Sequence, residues 1–272
     1  MRLALFVGCK ITAAVPEYET AARAVLGRLG IELVSLPFGC CGFPARHLRL
    51  DAFLMLAARN LALAAARDLG LLTLCQCCYG NLRQAQYLMR RDSHLRAAID
   101  KRLATEGLTL TEDPPVRHLL DFLARDIGVE TLAGRVTAPQ RQLKVAAHYG
   151  CHALRPSNVV ELDNPNAPTV FEALIRVTGA TTVDWPRRLD CCGAPLADTN
   201  QAIATRLRQA KLTDAAEAGA GWLATACPHC QIQFAGGQDA GAPKPVLYAQ
   251  ILGMALGLSA TAVGLRQPLV SG

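Results

Sequence analysis

Cys191-Cys192-Gly193 is the stretch from which the rest of the chain can be read. Upstream of it stands Cys151-His152, and downstream Cys227-Pro-His-Cys230. The same order occurs once before, as Cys9, then Cys40-Cys41-Gly42, then Cys75 and Cys78. The spacings are Cys9–x30–Cys40-Cys41–x33–Cys75–x2–Cys78 and Cys151–x39–Cys191-Cys192–x34–Cys227–x2–Cys230. Ten of the 11 cysteines thus form two sets of five, and only Cys77 stands outside them. Five thiolates is one more than a tetrahedral zinc or an ordinary four-cysteine iron–sulfur cluster takes.

Working outward, each cysteine group follows a short apolar run. Leu3–Val7, Ile31–Leu36 and Leu71–Leu74 read as buried strands ahead of Cys9, Cys40 and Cys75. Lys144–His148, Ala180–Asp184 and Gly221–Thr225 repeat them ahead of Cys151, Cys191 and Cys227. Helical spacing fills the intervals, over Tyr18–Leu29 and Asp51–Leu69, with Asp51 as N-cap, and again over Thr169–Gly179 and Asn200–Ala218. Strand–helix–strand–helix–strand, twice over, predicts an α/β chain of two pseudo-symmetric, Rossmann-like domains with parallel sheets. The domains are expected at 1–142, with a helical connector over about 90–142, and at 143–272. That connector reads as two helices, Leu95–Thr105 and Val116–Ile127, separated by Pro114-Pro115 and without a counterpart in the second half. Ligands of parallel sheets bind at the carboxyl ends of the strands, where every cysteine group is expected.

Composition narrows the partners. Half of the 272 residues are hydrophobic, enough for a sizeable core. The +6 charge comes from 23 Arg and five Lys against 22 acids, scattered without a basic block or aromatic interleaving, so no nucleic-acid partner is expected. Pro245–Leu265 carries no charge, but its glycines and polar residues suit a buried C-terminal helix rather than a membrane span. The chain opens without a signal-peptide layout, and its cysteines read as reduced thiolates of a cytoplasmic protein rather than as a secreted disulfide framework.

Thiolates suit iron–sulfur, zinc or copper(I). The side chains of a vicinal Cys-Cys pair point apart, so both reach one centre only if that centre is large, which a multi-iron cluster is and a single zinc is not. Zinc held by four cysteines is the lesser alternative, and it leaves one thiolate per set idle. Gly42 and Gly193 give the backbone room to turn beside such a centre.

The doubled pattern resembles the CCG-domain family, and within it the B-type subunit of heterodisulfide reductase. Phe6-Val-Gly-Cys-Lys10, Arg59-Asn-Leu-Ala62, His148-Tyr-Gly-Cys-His-Ala-Leu-Arg-Pro156 and Ala226-Cys-Pro-His-Cys-Gln231 carry the likeness, with Tyr18-Glu19 a looser match. The resemblance implies a noncubane [4Fe-4S] cluster in each set. The ligands would be Cys9, Cys40, Cys41, Cys75 and Cys78 in the first, and Cys151, Cys191, Cys192, Cys227 and Cys230 in the second. Cys77 departs from the pattern and leaves a slipped first ligand set open. The resemblance further implies disulfide or sulfur-carrier redox in a cavity between the halves. Electrons would come through a C-type iron–sulfur subunit and an A-type flavin subunit. The substrate is a disulfide or thiol, either the mixed disulfide of coenzymes M and B or, as Arg and Ala usage favours, lipoate-bound sulfur in bacterial sulfur oxidation. An electron-relay or anchoring subunit of a succinate- or lactate/glycolate-type dehydrogenase is the alternative.

Aligning Gly8-Cys9 with Gly150-Cys151 places Lys10 opposite His152, and both are expected as proton donors to a leaving thiolate. Lys10 also reads as a surface cation, and His152 as a hydrogen-bond donor to cluster sulfur. His148 and His229 are expected to be structural, each satisfied by a hydrogen bond. Arg155 suits a substrate anion or a salt bridge equally.

Overall fold

The protein is described by a computed structural model covering residues 1–236 and 241–269, so residues 237–240 and 270–272 of the expected second domain lie outside the described residues. In the first half, β1 (Arg2–Phe6) leads into α1 (Cys9–Ala14) and α2 (Pro16–Arg28), then β2 (Glu32–Val34) and α3 (Leu50–Ala65). They are followed by β3 (Gly70–Thr73), α4 (Gln76–Arg91), α5 (Ser93–Thr105) and β4 (Val116–His118). After β4, α6 (Leu119–Asp121) runs through a π-helical stretch into α7 (Val129–Ala133). The second half repeats the plan with β5 (Lys144–Ala147), α8 (Cys151–Leu154), α9 (Ser157–Val160), α10 (Val170–Val177) and β6 (Thr181–Val183). It closes with α11 (Gln201–Glu217), β7 (Trp222–Thr225), α12 (Pro228–Ala235), β8 (Lys244–Leu247) and α13 (Tyr248–Ala255).

Two four-stranded parallel sheets result, ordered β2-β1-β3-β4 and β6-β5-β7-β8. The expected strands are present, and each sheet gains a fourth. Residues Val116–His118, expected as the start of a helix, instead pair with Leu71–Thr73. Pro115 disfavours helical geometry at Pro114, and the free edge of β3 offers hydrogen bonds that a helix start would lack. The connector therefore does have a counterpart, because β8 pairs with β7 in the matching place. A second correction concerns α3, which starts at Leu50. Asp51 lies in its first turn and is bound to Arg49 at 3.1 Å, where its charge favours the positive end of the helix dipole without capping the helix.

The helices after the fourth strands are exchanged. Helix α13 packs on α2 of the first half, where Arg28 donates to Leu256 O at 3.5 Å, and α6 and α7 pack on α10 of the second. Helix α2 starts on Pro16 at its first position and buries Tyr18, Ala21, Ala22, Val25 and Leu26. Covering a large apolar side chain of this kind stabilises by about 1.5–3 kcal/mol. The uncharged C-terminal stretch thus becomes a short buried helix. Among the described residues no helix is long and apolar enough to cross a membrane.

Candidate metal centre

Both Cys-Cys-Gly turns are built alike. Gly42 and Gly193 adopt φ +87° and +86°, and a Cβ on either would stand 2.8 Å from Phe53 O or 3.0 Å from Ala204 O. Only glycine lets the turn lie this close to the following helix. The amides of Gly42 and Gly193 donate to the sulfurs of Cys40 and Cys191, each at 3.4 Å. Cys9 and Cys151 are the first residues of α1 and α8, and Cys75 and Cys227 immediately precede α4 and α12.

Packing between the halves gathers these ends. Helix α1 lies against α12, and α8 and α9 lie against α4. Polar side chains tie the seam: Gln76 Nε2 donates to Tyr149 O at 2.6 Å, Arg83 Nε to Val159 O at 3.0 Å, and the Tyr79 hydroxyl to Val160 O. His118 Nδ1 accepts from Leu120 N, so its Nε2 donates across the seam to Ala226 O at 3.1 Å. Burial lowers the His118 pKa to about 4 and keeps the ring neutral.

Between the halves opens a cavity of about 460 Å³. Its wall includes Cys9, Cys40, Cys41, Cys75, Cys77, Cys78, Cys151, Cys192, Cys227 and Cys230, together with Lys10, His152 and His229. Cys191 stands one residue behind this wall, in contact with Cys151 and Cys192. The sulfurs run as one string of neighbours. Cys40 and Cys78 thiols donate to Cys41 and hold it down to about 3, and Cys151 and Cys192 hold Cys191 down to about 2. Cys230, Cys75 and Cys77 crowd Cys227 and lower it well below the ordinary thiol range. Cys192 is pushed up to about 12 by the Cys191 thiolate, and Cys40, Cys78, Cys151 and Cys230 are raised in the same way. Within each set, then, crowding of the thiols favours the anionic form of one sulfur, the form that ligates metal.

Cys77, left over by the spacing, is buried among sulfurs of both sets: Cys75, Cys77 and Cys227 lie within 4.8 Å of one another. His148 departs from expectation. Neither ring nitrogen has a hydrogen-bond partner among the described residues, and the ring lies within 4.8 Å of the Cys192 and Cys230 sulfurs, which touch at 3.5 Å. Lys10 is exposed on the cavity wall, while His152 is partly buried with its ring 5.6 Å from that of Phe43, and burial lowers its pKa. His229 faces Phe43 at 6.1 Å. Arg155 lies outside the cavity. It is exposed in a separate surface pocket with Arg188, Asp184 and Asp190, and forms no ion pair among the described residues.

Several buried polar atoms here have no hydrogen-bond partner among the described residues. Tyr18 Oη, whose pKa is raised by full burial and by Cys227, Cys75 and Cys230 nearby, has no hydrogen-bond partner among the described residues, and neither does His152 Nδ1. A buried hydroxyl without a partner costs about 1–3 kcal/mol, whereas inorganic sulfide and bound thiolate are acceptors. The donor set and these orphaned atoms fit an iron–sulfur group. In the sequence Tyr18 shows only as part of a loose string match. His118, Gln76 and Asn81, whose amide reaches Cys41 Sγ at 3.5 Å, do not show at all.

Comparison with known proteins agrees with this geometry. The family described as "Cysteine-rich domain" (CCG) matches residues 3–83 and 145–235. The B-type subunit of the ferredoxin/F420H2-dependent CoB-CoM heterodisulfide reductase of Methanosarcina acetivorans is 35% identical over 98% of this chain and 93% of its own length. The 8-methylmenaquinol:fumarate reductase membrane anchor subunit of Wolinella succinogenes is 33% identical over 98% and 96%. A crystal structure of a hypothetical protein from Helicobacter pylori shares the fold at TM-score 0.78 and 18% identity, covering 97% of this chain, which spans 50% of that one. With both motifs matched and relatives similar end to end, this chain belongs to the cysteine-rich CCG-domain family, as a redox subunit of the kind that works within a multisubunit complex.

Proposed function

We propose that the chain is the catalytic iron–sulfur subunit of a heterodisulfide-reductase-like complex, interconverting a disulfide and two thiols, or sulfur held on a carrier, at two noncubane [4Fe-4S] clusters. The observation that carries the reading is the meeting of both five-cysteine sets around a single cavity at the seam. The reading takes 1–142 and 143–272 as the two units. Cys9, Cys40, Cys41, Cys75 and Cys78 would hold one cluster, and Cys151, Cys191, Cys192, Cys227 and Cys230 the other. Bound there, the clusters would supply electrons and open iron sites to the two sulfurs of a disulfide.

The chain's own residues do the rest. Cleaving a disulfide to two thiols consumes two electrons and two protons, one proton for each departing sulfur. Lys10 lines the cavity on the first half and His152 on the second, so each sulfur has a donor. Phe43, its ring 5.6 Å from that of His152 and 6.1 Å from that of His229, adds an aromatic face to the cavity wall beside them. Electrons reach the site from C-type iron–sulfur and A-type flavin partners in a cytoplasmic complex. Scarcity of Lys beside Arg favours bacterial sulfur oxidation, with a lipoate-bearing carrier as substrate.

Anaerobic purification with iron, sulfide and zinc analysis tests the reading. About eight irons with matching sulfide per chain are expected, and two zincs without sulfide would overturn it. Likeness to the Wolinella anchor subunit favours a second reading, an electron relay in a dehydrogenase complex. A relay would take up and release electrons at full iron loading yet leave every disulfide uncleaved.

A further inference from the structure

In both halves a buried side chain on the helix after the Cys-Cys-Gly turn reaches back to hold that turn. Helices α3 and α11 begin at matching positions, Leu50 and Gln201, and the turn glycines face Phe53 and Ala204 at the same offset. That offset brings Asn60 opposite Lys211. Asn60 accepts from Gly39 N at 2.9 Å and donates to Cys40 O at 3.0 Å. Lys211, only 1% exposed, donates to Asp190 O at 3.0 Å and to Arg187 O, with its ammonium 4.7 Å from the centre of the Trp185 ring. One half closes the loop with a neutral amide, the other with an ion.

A charge is not needed for this tie, since the amide makes it in the first half. What the ion adds is a fixed positive charge behind Cys192, Cys230 and Cys191, all near enough to act on it. Asp190, the carboxylate that acts on Lys211, is exposed and paired with Arg187 at 3.6 Å, so water and a second cation weaken its hold. The cations near the first set are wetter: Lys10 is exposed, and Arg46 is half-buried with its guanidinium on Asn81 Oδ1 at 3.1 Å.

We propose that Lys211 sets the reduction potential of the second cysteine centre, making it easier to reduce than it would be behind the neutral contact that Asn60 supplies to the first. The proposal rests on the iron–sulfur reading above. Reduction adds negative charge, and an unscreened cation in a low-dielectric interior stabilises the reduced form. Burial lowers the Lys211 pKa to about 8, which leaves the side chain cationic at pH 7. Lys211 is thus a positioning residue in the electrostatic sense and touches no substrate.

The test is a redox titration of the anaerobically purified full chain, followed by electron paramagnetic resonance, with iron and sulfide measured on every sample. Lys211→Gln keeps a donor and removes the charge. At unchanged iron it should shift one reduction step down by about tenfold in the reduced-to-oxidised ratio, which is about 59 mV for one electron. Asn60→Lys should shift the other step up by a similar amount, and Lys211→Arg should leave both in place. Unmoved steps at full iron loading in Lys211→Gln overturn the proposal. If that variant loses iron, Asn60→Lys decides: an upward shift supports the proposal, and no shift overturns it. Wild-type protein without iron or sulfide would instead remove the iron–sulfur reading itself, before any variant is titrated.

Discussion

The two halves share a backbone plan and differ in what stands around their sulfurs. Under the motif alignment Phe6 faces His148, Lys10 faces His152, Phe43 faces Ala194, Gln76 faces Pro228, Cys77 faces His229 and Asn60 faces Lys211. The first half backs its cysteines with two phenyl rings, Phe6 tilted against Phe38 at 5.1 Å. The second places in the same position an imidazole without a hydrogen-bond partner among the described residues, packed edge-on to Phe234 at 4.9 Å. What both halves keep are the sulfurs and the turn glycines, because ligand geometry and close backbone approach admit no substitute. The surrounding side chains are free to diverge, and each divergence changes charge, proton supply or access on one side only.

The strongest way to break the comparison is to remove one centre. Cys41→Ser and Cys192→Ser should each lower iron from about eight to about four per chain, leaving the other half loaded. Loss of all iron in either variant would mean a single shared centre, as the Cys75, Cys77 and Cys227 trio across the seam would allow. Next come the proton donors. His152→Ala and Lys10→Ala should keep full iron yet slow disulfide turnover by about 10²–10⁴-fold each, and iron loss in His152→Ala would make that histidine structural.

A third difference is between His118, which ends β4, and Leu247, which ends β8. The folded His118 pKa is about 4 against an ordinary 6.5. Above pH 6.5 neither state binds the proton. As pH falls toward 4 the unfolded chain takes it up and the folded chain does not, so stability drops by about 3 kcal/mol at most. Chemical denaturation of His118→Leu across that range should show a shallower acid decline than wild type, and an identical slope would remove His118 as the cause. The smallest effect is steric. Gly42→Ala and Gly193→Ala should each destabilise by about 2 kcal/mol, from positive φ and a Cβ forced onto a carbonyl oxygen. Gly42→Ala should be the worse, since its contact is the shorter.

Strands β1, β3, β5 and β7 were legible because each is a buried apolar run stopped shortly before a cysteine. Strand β4 was not, because Val116 to Ile127 continues an apolar pattern that suits a helix, and only pairing with β3 turns its first residues into a strand. Strand β8 was hidden likewise in a long uncharged stretch. The site was half legible. Repetition exposed the ten paired cysteines, Lys10 and His152, whereas Tyr18, His118, Asn81 and Lys211 belong to no motif and matter only through neighbours distant in sequence.

The order of residues alone establishes that this chain is a duplicated α/β protein whose cysteines come in two sets of five, because apolar runs that stop ahead of cysteines leave a repeated trace in the residues. Only the tertiary structure decided that both sets face one cavity, that the last helices of the two halves change places, and that a lysine stands buried behind one set of sulfurs. Those outcomes depend on which surfaces exclude water from each other, a property of packed pairs of elements that no single segment carries.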